Sequence, residues 1–217
     1  MVNEHHFKVE RTAHYYTIGQ PGPHIKRFWL VCHGYGQLAS QIIHKFRDFD
    51  DGQTLVLAAE GLSRFYWKGV SGQVGASWMT SKDRLEEIED YCRMLDQLYH
   101  QYVPQCSDEV KITFFGFSQG CATHCRWLHS RCPHFAHLVL WAGIFPDDLD
   151  YRPLSDYLHN KSIHLLYGDQ DQFLTPERIE KLHALIKDKG LTVDIHPFEG
   201  KHEILRPILN QLAERLS

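Results

Sequence analysis

The sequence predicts an α/β fold with a mostly parallel sheet covered by helices on both faces. Three observations carry this expectation. Short apolar runs alternate with amphipathic segments of helical period, several of those runs lack the polar alternation of a half-exposed strand, and each run ends in glycine or a polar turn. In such sheets the chemistry sits beyond the carboxyl ends of the strands.

The elements follow in order. "FKVERTAHYYTIG" (7–19) is rich in aromatic and β-branched residues and stops at the breaker "QPGP", so it reads as an opening strand or hairpin. "KRFWLVCH" (26–33) is a short buried strand, 38–49 a helix, and "QTLVLAAE" (53–60) a strand. Residues 61–81 read as a long loop bearing glycines and aromatics, and loops of that length in compact domains usually serve function.

From 82 to 103, Leu85, Ile88, Cys92, Leu95, Tyr99 and Tyr102 recur every three or four positions, which predicts an amphipathic helix. Strand 110–116, helix 119–131, strands 137–143 and 162–168, helix 176–188, strand 191–198 and helix 203–216 complete the alternation. Thr175 and Pro176 suit the N-cap and first turn of the helix they precede.

Composition sets the outer limits. The 217 residues (1–217) fit a single domain, large enough to bury about 70% of the surface of the unfolded chain. A net charge of -4 with 23% charged residues gives no reason to expect nucleic acid or an anionic membrane as partner. No signal-like start and no long apolar stretch occurs, so the expectation is a cytoplasmic protein without stable membrane insertion, a monomer or homodimer. The cysteines fall mostly within apolar periodic segments (Cys32, Cys92, Cys121, Cys125) and read as reduced, buried thiols.

The chemistry begins at "GFSQG", Gly116 to Gly120, a G-x-S-x-G pattern lying between a predicted strand and a predicted helix. A sharp strand-to-helix turn strains the serine and brings the backbone close on either side, where only small side chains fit. Ser118 is thus the candidate nucleophile, and the helix amino terminus behind it offers the amide of Gln119 to a developing oxyanion.

A serine needs a base, and the base needs an orienting carboxylate. Of sixteen histidines, His183 falls inside a predicted helix and His196 inside a predicted strand, whereas His202 in "FEGKHEIL" follows the last strand. It is the candidate base. Strand 162–168 runs into "GDQDQFLTP", which offers two acids, Asp169 and Asp171, and spacing alone does not choose between them. "HGYG", after the strand at 26–33, can bend a second amide toward the serine.

Other clusters carry less. Cys121, His124, Cys125 and His129 form no closed four-ligand set with metal spacing, and the helix they share needs small apolar residues against the sheet. The aromatics Phe65, Tyr66, Trp67 and Trp78 of the long loop either line a pocket or anchor the loop.

With "HGYG", "GFSQG", "GDQDQFLTP" and "GKH" in this order, the chain from about Arg27 onward resembles the phospholipase/carboxylesterase family of small α/β-hydrolases, which includes the acyl-protein thioesterases. The resemblance implies an α/β-hydrolase fold and a serine esterase acting on a small-molecule ester or thioester, without metal or organic cofactor. It implies Ser118 as nucleophile, Asp171 as acid and His202 as base, with the amides of Tyr35 and Gln119 as oxyanion donors. Trp67 and Trp78 are the expected substrate-binding aromatics.

Overall fold

The computed structural model describes residues 1–216. Seven strands form one sheet in the order β1-β3-β2-β6-β7-β8-β9. These are β1 (Tyr15–Ile18), β2 (Arg27–Cys32), β3 (Thr54–Ala59), β6 (Lys111–Phe117), β7 (His137–Trp141), β8 (Ser162–Gly168) and β9 (Asp194–Phe198). Only β1 is antiparallel, pairing Tyr15 with Ala59 through Ile18 with Val56. All other pairings in this sheet are parallel. This is the mostly parallel sheet the alternation predicted, and it agrees with the α/β-hydrolase fold that the resemblance implied.

Burial explains why these strands are so uniformly apolar. All six residues of β3 are buried, and so is β6 apart from Lys111. Side chains alternate between faces. Phe28, Leu30, Leu55, Leu57 and Phe114 pack with residues of α2 (Arg84–Tyr102), α3 (Gln119–Arg131) and, beyond the short α4 (Ser155–Leu158), α5 (Pro176–Asp188). Trp29, Val31, Val56, Phe115 and Val139 face the opposite way, toward α1 (Ala39–Ile42), the turns after it and α6 (Arg206–Leu216). Each fully buried side chain of this size contributes roughly 1.5–3 kcal/mol.

Three segments differ from expectation. The opening strand is only four residues long, because residues 7–12 are exposed and gain no pairing partner. The helix expected over 38–49 is α-helical only as far as Ile42 and then becomes a 3-10 helix over Ile43–Phe49. Ile43, Phe46 and Phe49 are buried at a spacing of three, and Phe46 and Phe49 both pack on Trp29, so a three-residue turn aims them at one surface.

The long loop at 61–81 contains a hairpin, β4 (Ser63–Tyr66) against β5 (Val74–Ser77). Its strands are too short, and β5 too glycine-bearing, to show a period of two. Helices α3 and α5 and strand β8 match their predicted bounds.

The chain steps outward from β2 to β3 and later returns to place β6 on the other side of β2. That reversal opens a crevice beyond the carboxyl ends of β2 and β6. The "HGYG" loop leaves β2 there, and Ser118 leaves β6.

Candidate active site

Ser118 occupies the turn between β6 and α3 with φ 53 and ψ -114, a backbone conformation that costs a non-glycine residue of order 1–3 kcal/mol. The surroundings hold it there. Its N–H donates to the Trp141 carbonyl at 2.8 Å, and its carbonyl accepts from the Cys121 N–H at 3.0 Å. A Cβ on Gly116 would meet the Cys121 nitrogen and the Gly120 oxygen, each at 2.5 Å, and one on Gly120 would run into the Cys32 carbonyl. Both glycines therefore serve close backbone approach.

Behind the elbow, Cys121 is wholly buried and its thiol donates to the Gly116 carbonyl at 3.1 Å. Burial pushes this thiol well above its ordinary range. It stays protonated packing. His124 lies stacked on Phe114 with Nε2 at 3.1 Å from the Phe115 carbonyl, and burial lowers its pKa to about 3.

The two candidate oxyanion amides come from opposite walls of the crevice. Neither the Tyr35 nor the Gln119 N–H has an acceptor among the described residues, although the neighbouring Gly36 and Gln37 amides are both used. Gln119 contributes more than its amide. Its side chain accepts from the Trp78 N–H at 3.2 Å and donates to the Met79 carbonyl at 2.9 Å, tying α3 to the strand end of β5.

The loop carrying Tyr35 is fixed by His33, which is fully buried. His33 Nδ1–H donates to the Gly34 carbonyl at 2.7 Å, and Nε2 accepts from the Gly61 N–H at 2.9 Å. This arrangement specifies the neutral ring, and burial brings its pKa down to about 4. Trp78 packs against it, ring centroids 5.0 Å apart, and donates its indole N–H to the His33 carbonyl at 2.8 Å. Trp78 is 2% exposed. Its expected contact with substrate gives way to a supporting position beneath the loop.

Trp67 lies at the surface. Tyr35, Phe65 and Trp67 form an aromatic cluster in which Tyr35 stacks on Phe65 at 5.2 Å and Trp67 meets both edge-on. Tyr35 is 53% and Trp67 47% exposed. The Trp67 indole N–H reaches back to the Gly36 carbonyl at 3.1 Å, which ties the hairpin to the candidate oxyanion loop.

Beyond β8 and β9 the two aspartates part ways. The Asp169 carboxylate accepts from the Gly200 N–H at 3.1 Å, and the Asp169 and Gln170 amides donate to Phe198 and Gly200 carbonyls, which laces together the two loops. Asp171 is buried. One of its oxygens accepts from the Phe173 N–H at 2.8 Å and the other meets His202 Nδ1 at 2.7 Å. The proton on Nδ1 is thereby fixed, and Nε2 is the ring nitrogen that can accept another.

His202 is flanked by Phe117, at 5.0 Å between centroids, and Phe173, at 4.7 Å. Phe117 is the chain neighbour of Ser118, so the imidazole lies beside the elbow. Among the described residues the serine hydroxyl and the imidazole are not hydrogen-bonded to each other, and such contacts often tighten only with substrate bound. The structure thus joins Asp171 to His202 and brings both toward Ser118. Sequence reading had missed the side-chain roles of His33, Gln119 and Phe173; the buried His33 at the head of "HGYG" was the one with a visible signal.

A family model described as Serine hydrolase (FSH1) matches residues 26–207. No curated protein matches the sequence. Among solved structures, Zea mays acyl-protein thioesterase 2 superposes with a TM-score of 0.71 at 15% identity, covering 95% of this chain and 100% of that one. The Bacillus cereus carboxylesterase gives 0.65 at 16%, covering 94% and 93%. A phospholipase/carboxylesterase from Dyadobacter fermentans gives 0.63 at 14%, covering 96% and 98%. At these identities the likeness concerns the fold. The family model spans most of the chain, including the elbow, both aspartates and His202, and the protein belongs to the FSH1 serine hydrolase family.

Proposed function

We propose that the protein cleaves carboxylic esters through an acyl-enzyme intermediate, with Ser118 as nucleophile, His202 as general base and Asp171 as the carboxylate that orients it. The observation that carries this reading is the 2.7 Å contact between His202 Nδ1 and the buried Asp171 carboxylate, beside a serine held at positive φ at the head of a helix.

In the first half-reaction the Ser118 oxygen attacks the ester carbonyl carbon while His202 Nε2 takes the hydroxyl proton. The negative charge on the carbonyl oxygen is met by the Tyr35 and Gln119 N–H groups, whose lack of other partners supports that role. Collapse of the tetrahedral adduct breaks the carbon–oxygen bond to the alcohol, which leaves with the proton from His202. Water then attacks the acyl-enzyme, gives its proton to His202, and the proton returns to Ser118 as the acid departs. Asp171 remains ionised throughout and stabilises the imidazolium.

The exposed cluster of Tyr35, Phe65 and Trp67 beside the oxyanion loop favours acyl or aryl groups with apolar surface. The thioesterase title of one structural relative makes thioesters the second leaving-group class to assay.

Hydrolysis of p-nitrophenyl acetate and butyrate by the native enzyme and by Ser118→Ala tests the proposal. The variant should lose at least about 1,000-fold in kcat. Equal rates, or failure of a fluorophosphonate probe to label Ser118 in the native protein, would leave a non-catalytic binding protein as the better account.

A further inference from the structure

Three histidines lie on one face of three adjacent strands, away from the candidate active site and toward the amino-terminal ends of those strands. His137 opens β7, His164 lies in β8, and His196 lies in β9, the last strand of the sheet. In register, Val139 pairs with His164 and His164 with Asp194. Residues two apart on a strand share a face, so His137, His164, Asp194 and His196 all stand on the side covered by α6.

We infer that His164, Asp194 and His196 form a binding site for a divalent transition-metal ion of the Zn2+ class, which bridges the edge strand β9 to β8. One ligand atom from each residue lies within 4.8 Å of the others. His164 Nδ1 and His196 Nε2 are 3.4 Å apart, and two imidazoles on a tetrahedral zinc ion have nitrogens separated by about 3.3 Å. The nearest Asp194 oxygen is 3.7 Å from His164 Nδ1. Two imidazoles and a carboxylate are the mixed set that zinc accepts, with water in the open fourth position.

The second contact of His164 supports the assignment. Its Nε2 lies 2.8 Å from the Ser162 hydroxyl, two residues back on the same strand. With Nε2–H donating there, the Nδ1 lone pair faces His196 and Asp194, the arrangement by which an outer partner fixes a ligating histidine.

Its neighbours are mixed. Arg215 on α6 acts on His164 as a positive charge, Lys111 does so on His137, and the Asp194 carboxylate opposes them. Asp194 is exposed, with 64% of its side chain accessible, which leaves the ion a path from solvent.

The test uses full-length, tag-free protein stripped with a chelator and dialysed free of it. Titration calorimetry with zinc chloride should show one saturable equivalent, and Co2+ in its place should give the intense visible bands of a four-coordinate ion. Zinc at 100 times its Kd should raise the Tm by about 5–10 °C. His196→Gln and Asp194→Asn, both at accessible positions, should each weaken binding at least 10-fold while leaving the far-UV spectrum unchanged. Ser162→Ala should weaken it about 10–100-fold without removing any ligand.

A chelator-stripped protein that takes up no zinc in a saturable manner would overturn the inference. So would zinc binding that is unaffected by His196→Gln and Asp194→Asn. A third overturning result is binding lost instead on His6→Ala, since Glu4, His6 and Asp83 are also near one another. Binding lost on His202→Ala would count equally against it.

Discussion

The two walls of the candidate site are built on different principles. The elbow wall, from β6 into α3, is fixed by backbone against backbone: Gly116 and Gly120 have no room for a Cβ, and Ser118 is held between the Trp141 carbonyl and the Cys121 amide. The rim wall, the β4–β5 hairpin against the Tyr35 loop, adds to two backbone bonds between Gly36–Gln37 and Ala76 a cluster of aromatic side chains, of which Tyr35 and Trp67 are about half open to solvent. Close-packed backbone has few alternative arrangements, whereas side-chain contacts can be exchanged. The elbow side should therefore govern whether a bond is broken, and the rim which molecule carries it.

The largest effect that can break this division is at the acid. Asp171→Asn keeps the shape of the buried group and loses the charge that holds His202 in its Nδ1–H form, so kcat should fall by about 10,000-fold. Asp169→Asn retains an oxygen for the Gly200 N–H and should change kcat by less than about 10-fold. The two variants assayed side by side on p-nitrophenyl butyrate separate the roles; a larger loss at Asp169 would reverse them.

His33 anchors the rim wall, and its protonation should loosen it. Its pKa is about 4 in the folded protein because burial disfavours the cation, and about 6.5 in the unfolded chain. Between these values the unfolded state binds more protons, so stability is fully present above pH 6.5 and falls as pH drops toward 4. The loss attributable to His33 is on the order of 3 kcal/mol. Urea unfolding at pH 7.0, 6.0 and 5.0 should show this decline, with a shallower slope in His33→Gln. Equal slopes would mean that the ring is not held neutral by its burial.

Gly120→Ala probes the elbow by volume alone. Its new Cβ meets the Cys32 carbonyl, and the strand or the helix must shift, at about 3 kcal/mol. Thermal unfolding should register a Tm lower by roughly 6–12 °C. A Tm within a degree of native would show the elbow to be less tightly packed than its contacts indicate.

The same contrast explains what could be read from the sequence. The parallel strands and α3 were legible because burial on both faces forces apolar runs, and a glycine-flanked serine between strand and helix has few other uses. Asp171 was legible only through resemblance: two aspartates a residue apart on one loop have equal claims until the fold aims one at His202 and the other at Gly200. The hairpin stayed hidden because strands of four residues, one of them carrying Gly75, are too short to show a period. Trp67 and Trp78 looked alike in sequence, yet one is exposed and the other carries the His33 carbonyl from within the core.

The smallest effect is the most informative about the rim. Trp67→Ala removes an exposed ring, and p-nitrophenyl acetate, whose acyl tail is a single methyl, should lose no more than about 3-fold in kcat/KM. Longer acyl esters should lose about 10-fold, the value of a modest apolar contact. Trp67 also donates to the Gly36 carbonyl, next to the Tyr35 amide, so a loss on acetate has a different meaning from a loss on longer esters. Trp67→Phe distinguishes the two, since it keeps the ring and deletes the N–H. Retained chain-length preference with slowed acetate turnover would make Trp67 a positioning residue for the oxyanion loop. Native acetate turnover in Trp67→Phe, together with lost preference in Trp67→Ala, would make the rim a selectivity surface independent of the elbow.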